Sequence, residues 1–179
     1  TDANGNKDSC TAIATVADTI KPMVVCQNIT VALDQFGDAA ITGNDFAGTS
    51  TDACGIMSIV LSKANFTCSD LGLNLVSAVV TDNNGNIDSC STVVLIVDTI
   101  PPTVICQNDT VYIDVAGNVA IAAADLDAGT TDVCGIDSLG IATSTFTCAE
   151  VGVNSVVLFA TDIDGNISET HNNFGNLCI

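Results

Sequence analysis

Residues 81–106 are TDNNGNIDSCSTVVLIVDTIPPTVIC, and residues 1–26 are TDANGNKDSCTAIATVADTIKPMVVC. The two stretches lie 80 positions apart, and about 40 of the first 90 residues are identical to the residue 80 positions later. A constant period of this length indicates a tandem array of similar units. The cysteines keep the period without a gap, since Cys10, Cys26, Cys54 and Cys68 correspond to Cys90, Cys106, Cys134 and Cys148.

The DTIKP and DTIPP stretches predict the boundaries between units, because proline ends a strand and fixes an extended connection. The sequence predicts the C-terminal strand region of a preceding unit in residues 1–17, a complete unit in 18–97 (unit 1) and a second in 98–179 (unit 2). An insertion at 169–177 delays the last cysteine of unit 2, which is predicted to lack its last strand. The chain is therefore expected to be a window from a longer array. Alternatively, residues 11–17 of another subunit supply the strand by donation.

Each unit is predicted to be an immunoglobulin-like β-sandwich, so that the chain is all-β with tandem domains. Short stretches rich in Val, Ile and Thr alternate with turn signals at short, regular intervals, as is typical of sandwiches. The predicted strands of unit 1 are residues 23–33, 55–61, 73–81 and 87–97, and LDQFGDAAI places glycine in a hairpin turn. No helical periodicity extends over about ten residues.

The charge of the chain excludes two classes of partner. Twenty-one acidic residues face three basic ones, which gives a formal net charge of −18. Phosphate binding needs a basic surface, so neither nucleic acid nor an anionic membrane is an expected partner. No apolar run approaches the roughly 18 residues of a spanning helix, so no membrane insertion is predicted.

Nine cysteines without CxxC spacing indicate intradomain disulfides formed in an oxidising compartment. If the first and last strands of a sandwich run parallel from one end, Cys26 lies level with Cys90. The rival bond of Cys10 to Cys26 would span roughly 50 Å between two extended strands, unless the array folds back. Cys10 is left to a partner outside the chain. The predicted pairs are Cys26–Cys90, Cys54–Cys68, Cys106–Cys178 and Cys134–Cys148.

The motifs DTIxPxVxCQNxTV, TDACGI or TDVCGI, FTC and VTDxNGNxDSC resemble the hyalin-type (HYR-like) repeats of very large secreted proteins of Bacteroidetes. The resemblance covers nearly the whole chain apart from residues 169–177. It implies immunoglobulin-like domains in many copies, export by a type IX-like route, and a role as a surface adhesin, gliding filament or grappling appendage. Thr170 departs from the pattern by replacing a cysteine.

Oxygen-bearing side chains occur at every second position of the NGN turns, a pattern that can converge on calcium. Alternatively the turns are hairpins only, in which Asx side chains bond their own backbone. If each turn lies at the same end as the preceding linker, a cation between them would stiffen the connection between domains, and Asp45 and Asp52 are further candidates. The first turn carries Asp2, Asn4, Asn6 and Asp8. The candidate calcium ligands are Asp82, Asn84, Asn86 and Asp88 with Asp18, and Asp162, Asp164 and Asn166 with Asp98.

Other side chains give weaker patterns. Because every carboxylate is duplicated and His171 is the only histidine, no unique catalytic constellation forms and no enzyme is expected. Four hydroxyl residues follow Asp and precede an apolar residue, similar to the O-glycosylation pattern of the same bacterial lineage. These candidate glycosylation sites are Thr19, Thr99, Thr110 and Ser138.

The sequence thus predicts a structural segment of a secreted, cell-surface filament or adhesin, in which disulfide-stapled domains act as rigid spacers and self-assemble. The expected partners are neighbouring repeats, other copies of the chain, and a cell-surface or glycan ligand. The alternative is a calcium-dependent module of a larger secreted protein that binds carbohydrate or protein. The divergent insertion at 169–177, which carries His171 and Phe174, favours that alternative.

Overall fold

A computed structural model describes residues 3–168, whose regular secondary structure is mostly β-strands in several sheets with few helices. The longest hairpin joins β5 (Gly72–Asp82) to β6 (Ile87–Val97). Gly85 in its turn has a φ of 91°, a conformation that residues with a Cβ rarely adopt. The bounds of β6 match the prediction, and those of β5 differ by one residue at each end.

Unit 1 contains a four-stranded sheet in the order β1-β6-β5-β3. The strand β1 (Ile29–Ala32) runs parallel to β6, as predicted, and β3 (Ile56–Leu61) runs antiparallel to β5. The predicted first strand at 23–33 is shorter than expected, and Met23 forms an isolated bridge with Thr51. In the second half of β5 and of β6, fully buried side chains alternate with more exposed ones, because successive residues of a strand point to opposite faces.

A smaller sheet pairs β2 (Asp38–Ala40) with β4 (Asn65–Thr67). Between β2 and β3 lies the short helix α1 (Gly43–Ala47), whose first turn is capped by Thr42 and Asp45. Side chains of both sheets contribute to a single core. Its buried members are Leu33, Ile41, Phe46, Ala47, Phe66, Val76, Ala78, Val94 and Ile96.

Several elements of unit 2 recur at the period of the sequence repeat, although no described strand corresponds to β1 and β10 matches only the second half of β5. Its two strand pairs are both antiparallel, β10 with β8 and β7 with β9. A smaller buried core contains Val104, Leu158 and Ala160. The elements are β7 (Asn118–Ala120), α2 (Ala123–Leu126), β8 (Ile136–Ile141), β9 (Thr145–Thr147), a 3-10 helix (Cys148–Glu150) and β10 (Leu158–Asp162).

Residues 6–22 contain no helix or strand, although 1–17 were predicted to include a strand region. The corresponding strand of unit 1, β6, is held between β1 and β5. No described strand pairs with residues 7–17 in the same way, and Ile13 and Val16 are 95% and 96% exposed. A single strand without such partners leaves its backbone groups to water.

Candidate functional site at the joint between units 1 and 2

A disulfide between Cys68 and Cys134 connects unit 1 to unit 2, with the two Cα atoms 5.2 Å apart. Cys68 begins the 3-10 helix Cys68–Asp70 that follows β4, and Cys134 lies shortly before β8. Around this bond lies the region that we call the joint. It comprises the end of unit 1 near Cys68, the linker 98–102, the loop 132–135 and the turn 162–166.

The predicted bonds Cys54–Cys68 and Cys134–Cys148 are wrong, because the strands between these cysteines do not form a hairpin. Instead, β3 pairs with β5 and β4 pairs with β2. The strands β3 and β4 are consecutive in the chain but belong to different sheets. Cys54, which precedes β3, and Cys68, which follows β4, therefore lie at opposite ends of unit 1. Cys54 and Cys148 are exposed free thiols.

The other cysteine predictions have different outcomes. The Cys26–Cys90 bond is confirmed, with Cα atoms 5.9 Å apart, because the parallel β1 and β6 bring the two residues level. Cys106 is disulfide-bonded, and its predicted partner, Cys178, lies outside the described residues. Cys10 is an exposed free thiol.

Three carboxylates meet at the joint, from the linker, the loop and the turn. One oxygen each of Asp98, Asp132 and Asp162 lies within 4.8 Å of the others. Asp98 and Asp162 are only 4% and 1% exposed. The chain has no lysine or arginine after Lys63, so unit 2 has neither of these side chains to offset the charges.

The turn and the linker hold this cluster together by hydrogen bonds. The backbone N–H groups of Asp164 and Asn166 donate to Asp162 Oδ1 at 3.0 and 2.7 Å. The Asn166 side chain donates to Asp162 Oδ2 at 2.8 Å and to the Asp98 carbonyl at 3.0 Å. The Asp98 N–H donates to Asp164 Oδ2 at 2.6 Å. The turn therefore fixes the linker in place from both sides of residue 98.

The second oxygen of Asp98 distinguishes this cluster from a satisfied turn. Asp98 Oδ1 accepts a hydrogen bond from the N–H of Ile100 at 2.9 Å, whereas Oδ2 is buried and accepts none from any described residue. An unpartnered buried carboxylate oxygen is costly unless a cation neutralises it. Carboxylate oxygens such as those of Asp98, Asp132 and Asp162 are among the ligands that calcium prefers.

The equivalent end of unit 1 brings Asp18, Asp52 and Cys54 together, with ligand atoms within 4.8 Å of one another. The Asp18 carboxylate raises the pKa of the Cys54 thiol, first by hydrogen bonding and then by its charge. Burial and the charges of Asp52 and Asp82 act in the same direction. Thiolate formation at Cys54 is therefore disfavoured.

Asp82 begins the turn 82–86 of unit 1, and its carboxylate accepts hydrogen bonds from that turn. Burial alone would raise the pKa of Asp82, but hydrogen bonds from the Asn86 side chain and from the N–H groups of Asn86, Asn84 and Gly85 lower it overall. Its Oδ1 accepts the N–H groups of Asn84 and Asn86, both at 2.8 Å. These are the bonds from an Asx side chain to its own turn backbone that the sequence predicted for a hairpin turn, and the Asp162 turn has the same pair.

The remaining predicted ligands lie apart from the two clusters. Asn84 is exposed in the turn, and Asp88 is exposed on β6 opposite Val80. Asp45 caps α1 by accepting the Thr42 N–H at 2.8 Å. Asp132 was not among the predicted ligands, although its TDVC motif repeats the TDAC of Asp52 and could have identified it.

The four candidate glycosylation residues, Thr19, Thr99, Thr110 and Ser138, are all exposed. Asp2, His171 and the insertion lie outside the described residues. No helix within 3–168 is both long enough and apolar enough to cross a membrane.

Comparison of the sequence with protein-family models and with curated protein sequences found no match.

Proposed function

We propose that the chain is a structural segment of a secreted, cell-surface filament or adhesin, built from tandem immunoglobulin-like β-sandwich units. The Cys68–Cys134 bond, which crosses the joint, carries this proposal. A covalent bond between two units restricts their relative motion, whereas a flexible tether or a freely binding module has no need of one. Rigid spacing between successive units is the role that such a bond serves best.

Noncovalent contacts at the joint support the same role. Val133 of unit 2 packs against the turn of unit 1 that contains Gly37, since a Cβ added to Gly37 would lie 3.2 Å from the Val133 side chain. The linker is fixed by Asn166 and Asp164, and Pro102 within it is buried. Proline also limits the conformations of the linker before the units fold.

Calcium completes the joint in this proposal. Asp98, Asp132 and Asp162 would hold the ion through carboxylate oxygens, which include the buried Oδ2 of Asp98. The ion would neutralise the repulsion between the three charges and connect the linker, the loop and the turn. Calcium binding to the folded state would also stabilise the joint by mass action.

An extracellular location and export by a type IX-like route belong to the same proposal. Two disulfides within the described residues support an oxidising compartment. The resemblance to hyalin-type repeats supports adhesion, gliding or grappling as the use of the filament. The four exposed hydroxyl residues are proposed as sites of O-glycosylation.

The rigidity of the joint is tested by small-angle X-ray scattering of the oxidised chain and of a Cys68→Ser/Cys134→Ser variant, each with calcium or EDTA. The oxidised chain with calcium is expected to have one well-defined maximum dimension. Removal of the disulfide, the ion or both is expected to broaden the distribution of dimensions. Superimposable profiles under all four conditions would contradict the proposal.

Calcium binding is tested separately by titration calorimetry. Asp132→Asn removes one charged ligand of the proposed site and is expected to abolish one binding event. The matched control is Asp137→Asn, which removes the same charge from an exposed position of β8. Equal binding by the two variants would remove calcium from the proposal and leave the disulfide joint intact.

A further inference from the structure

Two of the three free thiols among the described residues, Cys54 and Cys148, are the counterparts of the two cysteines that form the disulfide of the joint. Cys148 occupies the position in unit 2 that Cys68 occupies in unit 1, and Cys54 occupies the position in unit 1 that Cys134 occupies in unit 2. Each unit therefore carries one cysteine of the inter-unit bond at each end. Cys54 corresponds to the cysteine that unit 2 presents to unit 1, and Cys148 corresponds to the cysteine that unit 1 presents to unit 2.

The surroundings of Cys148 match those of Cys68. Each cysteine begins a 3-10 helix after a short strand. The Sγ of Cys148 lies 3.7 Å from the Gly117 carbonyl oxygen, and the Sγ of Cys68 lies 4.0 Å from that of Gly37. Both glycines have a φ of 79°, and a Cβ on either would lie 2.8 Å from the sulfur. The surface that holds Cys68 in the joint is thus already formed around Cys148.

The surroundings of Cys54 likewise match those of Cys134. The N–H of Cys54 donates to Asp52 Oδ1 at 2.7 Å, and the N–H of Cys134 donates to Asp132 Oδ1 at 2.8 Å. The following glycines, Gly55 and Gly135, both have positive φ. The loop that presents Cys134 to unit 1 is therefore repeated around Cys54, where the thiol is exposed.

We propose that Cys148 of one copy of this chain forms a disulfide with Cys54 of a second copy, which repeats the Cys68–Cys134 bond head to tail. This inference rests on the proposed function, because it extends the same joint beyond one chain. The two S–H bonds break and one S–S bond forms. The two electrons and two protons pass to a disulfide oxidant such as oxidised glutathione, which becomes two thiols.

The same head-to-tail docking would also cover two exposed regions, residues 7–17 and a groove in unit 2. In unit 1, β6 lies between β1 and β5 and leads directly into Asp98. In the second copy, residues 7–17 correspond to β6 and lead into Asp18, but they form no strand. At the positions in unit 2 that correspond to β1 and β5, residues 107–113 and 151–154 line a groove of about 610 Å³. Head-to-tail docking lays residues 7–17 along this groove.

The test uses the full chain with Cys10→Ser in every sample, so that Cys54 and Cys148 are the free thiols among the described residues. One variant adds Cys54→Ser and another adds Cys148→Ser. Each is incubated in a glutathione redox buffer, alone and as an equimolar mixture, and analysed on nonreducing gels. Mass spectrometry of the digests identifies the linked cysteines.

The Cys10→Ser chain is expected to form a ladder of covalent oligomers. Each further variant alone is expected to stay monomeric, and the mixture is expected to stop at a dimer that contains the Cys54–Cys148 peptide. This mixed dimer should exceed either homodimer by more than about tenfold, because docking raises the effective concentration of the two thiols. Homodimers in comparable amounts, or no Cys54–Cys148 peptide, would overturn the inference.

The same digests separate failure of this inference from failure of the proposed function. A Cys68–Cys134 peptide without a Cys54–Cys148 peptide would refute only the head-to-tail bond. Absence of the Cys68–Cys134 peptide would remove the observation on which both proposals depend.

Discussion

Removal of the Cys68–Cys134 bond by Cys68→Ser/Cys134→Ser is expected to reduce the free energy of unfolding by about 4 kcal/mol. The bond closes a loop with a sequence separation of 66. In the chain-entropy model, a loop of that length lowers the entropy of the unfolded chain by roughly 15 cal/mol/K, which corresponds to about 4 kcal/mol at 25 °C. Both cysteines are half-buried, so that the change from sulfur to oxygen adds only a small packing term.

The loss is measured by equilibrium unfolding in guanidinium chloride, followed by far-UV circular dichroism. Because the bond links the units, the parent chain is expected to unfold in one transition and the variant in two. The matched control is Cys26→Ser/Cys90→Ser, whose loop has a nearly equal separation of 64. This bond lies within unit 1 and packs against its core, so its removal is expected to destabilise unit 1 without separating the two transitions.

A variant whose unfolding free energy stays within about 1 kcal/mol of the parent value would refute the entropic argument. It would mean that the bond does not form or that the unfolded chain is already as restricted as the linked one. Two transitions in the parent chain would refute the inference that the bond makes the units cooperative. Iodoacetamide labelling of the unfolded, nonreduced parent separates these cases by reporting whether Cys68 and Cys134 are linked.

Three further predictions concern acid, thiol reactivity and force. Hydrogen bonds lower the pKa of Asp82 in the folded state, so its contribution to the free energy of unfolding is full above the pKa of the unfolded chain and is lost as pH falls through the pKa of the folded state. Asp82→Asn should therefore make the melting temperature less dependent on pH in the acid range. Because Asp18 raises the pKa of Cys54, Asp18→Asn should accelerate alkylation of Cys54 at pH 8 with the rate at Cys148 unchanged. In single-molecule pulling, reduction of the Cys26–Cys90 bond, whose sequence separation is 64, should release about 220 Å of contour length from unit 1. An unchanged contour length would contradict the inference that this disulfide carries the force past the chain between the two cysteines.

The strands that a pattern could identify were those with strong local signals. The turn at Gly85 and the β-branched run before Val97 determined β5 and β6, and their hairpin needs few distant contacts. The parallel placement of β1 followed from the sandwich hypothesis, and with it the Cys26–Cys90 bond. Helix α1 was missed because it is too short for a helical period to appear.

The joint could be predicted only in part. The turn and the linker were correctly placed at one end of a unit, which brought Asp98 and Asp162 together. The cysteine pairing failed because spacing along the chain does not reveal that β3 and β4 belong to different sheets. Cys54 and Cys68 are close in sequence, yet the change of sheet places them at opposite ends of the unit.

The two disulfides together suggest how a repeated array would bear tension. A pull along unit 1 enters near residue 18 and leaves near residue 97, and the Cys26–Cys90 bond lets the force bypass the chain between them. The Cys68–Cys134 bond gives the joint a second covalent path beside the linker. Because the first bond protects the interior of a unit and the second protects the connection, neither can replace the other. A cation at Asp98 would act at the point where the linker begins, directly after β6, which neither disulfide holds directly.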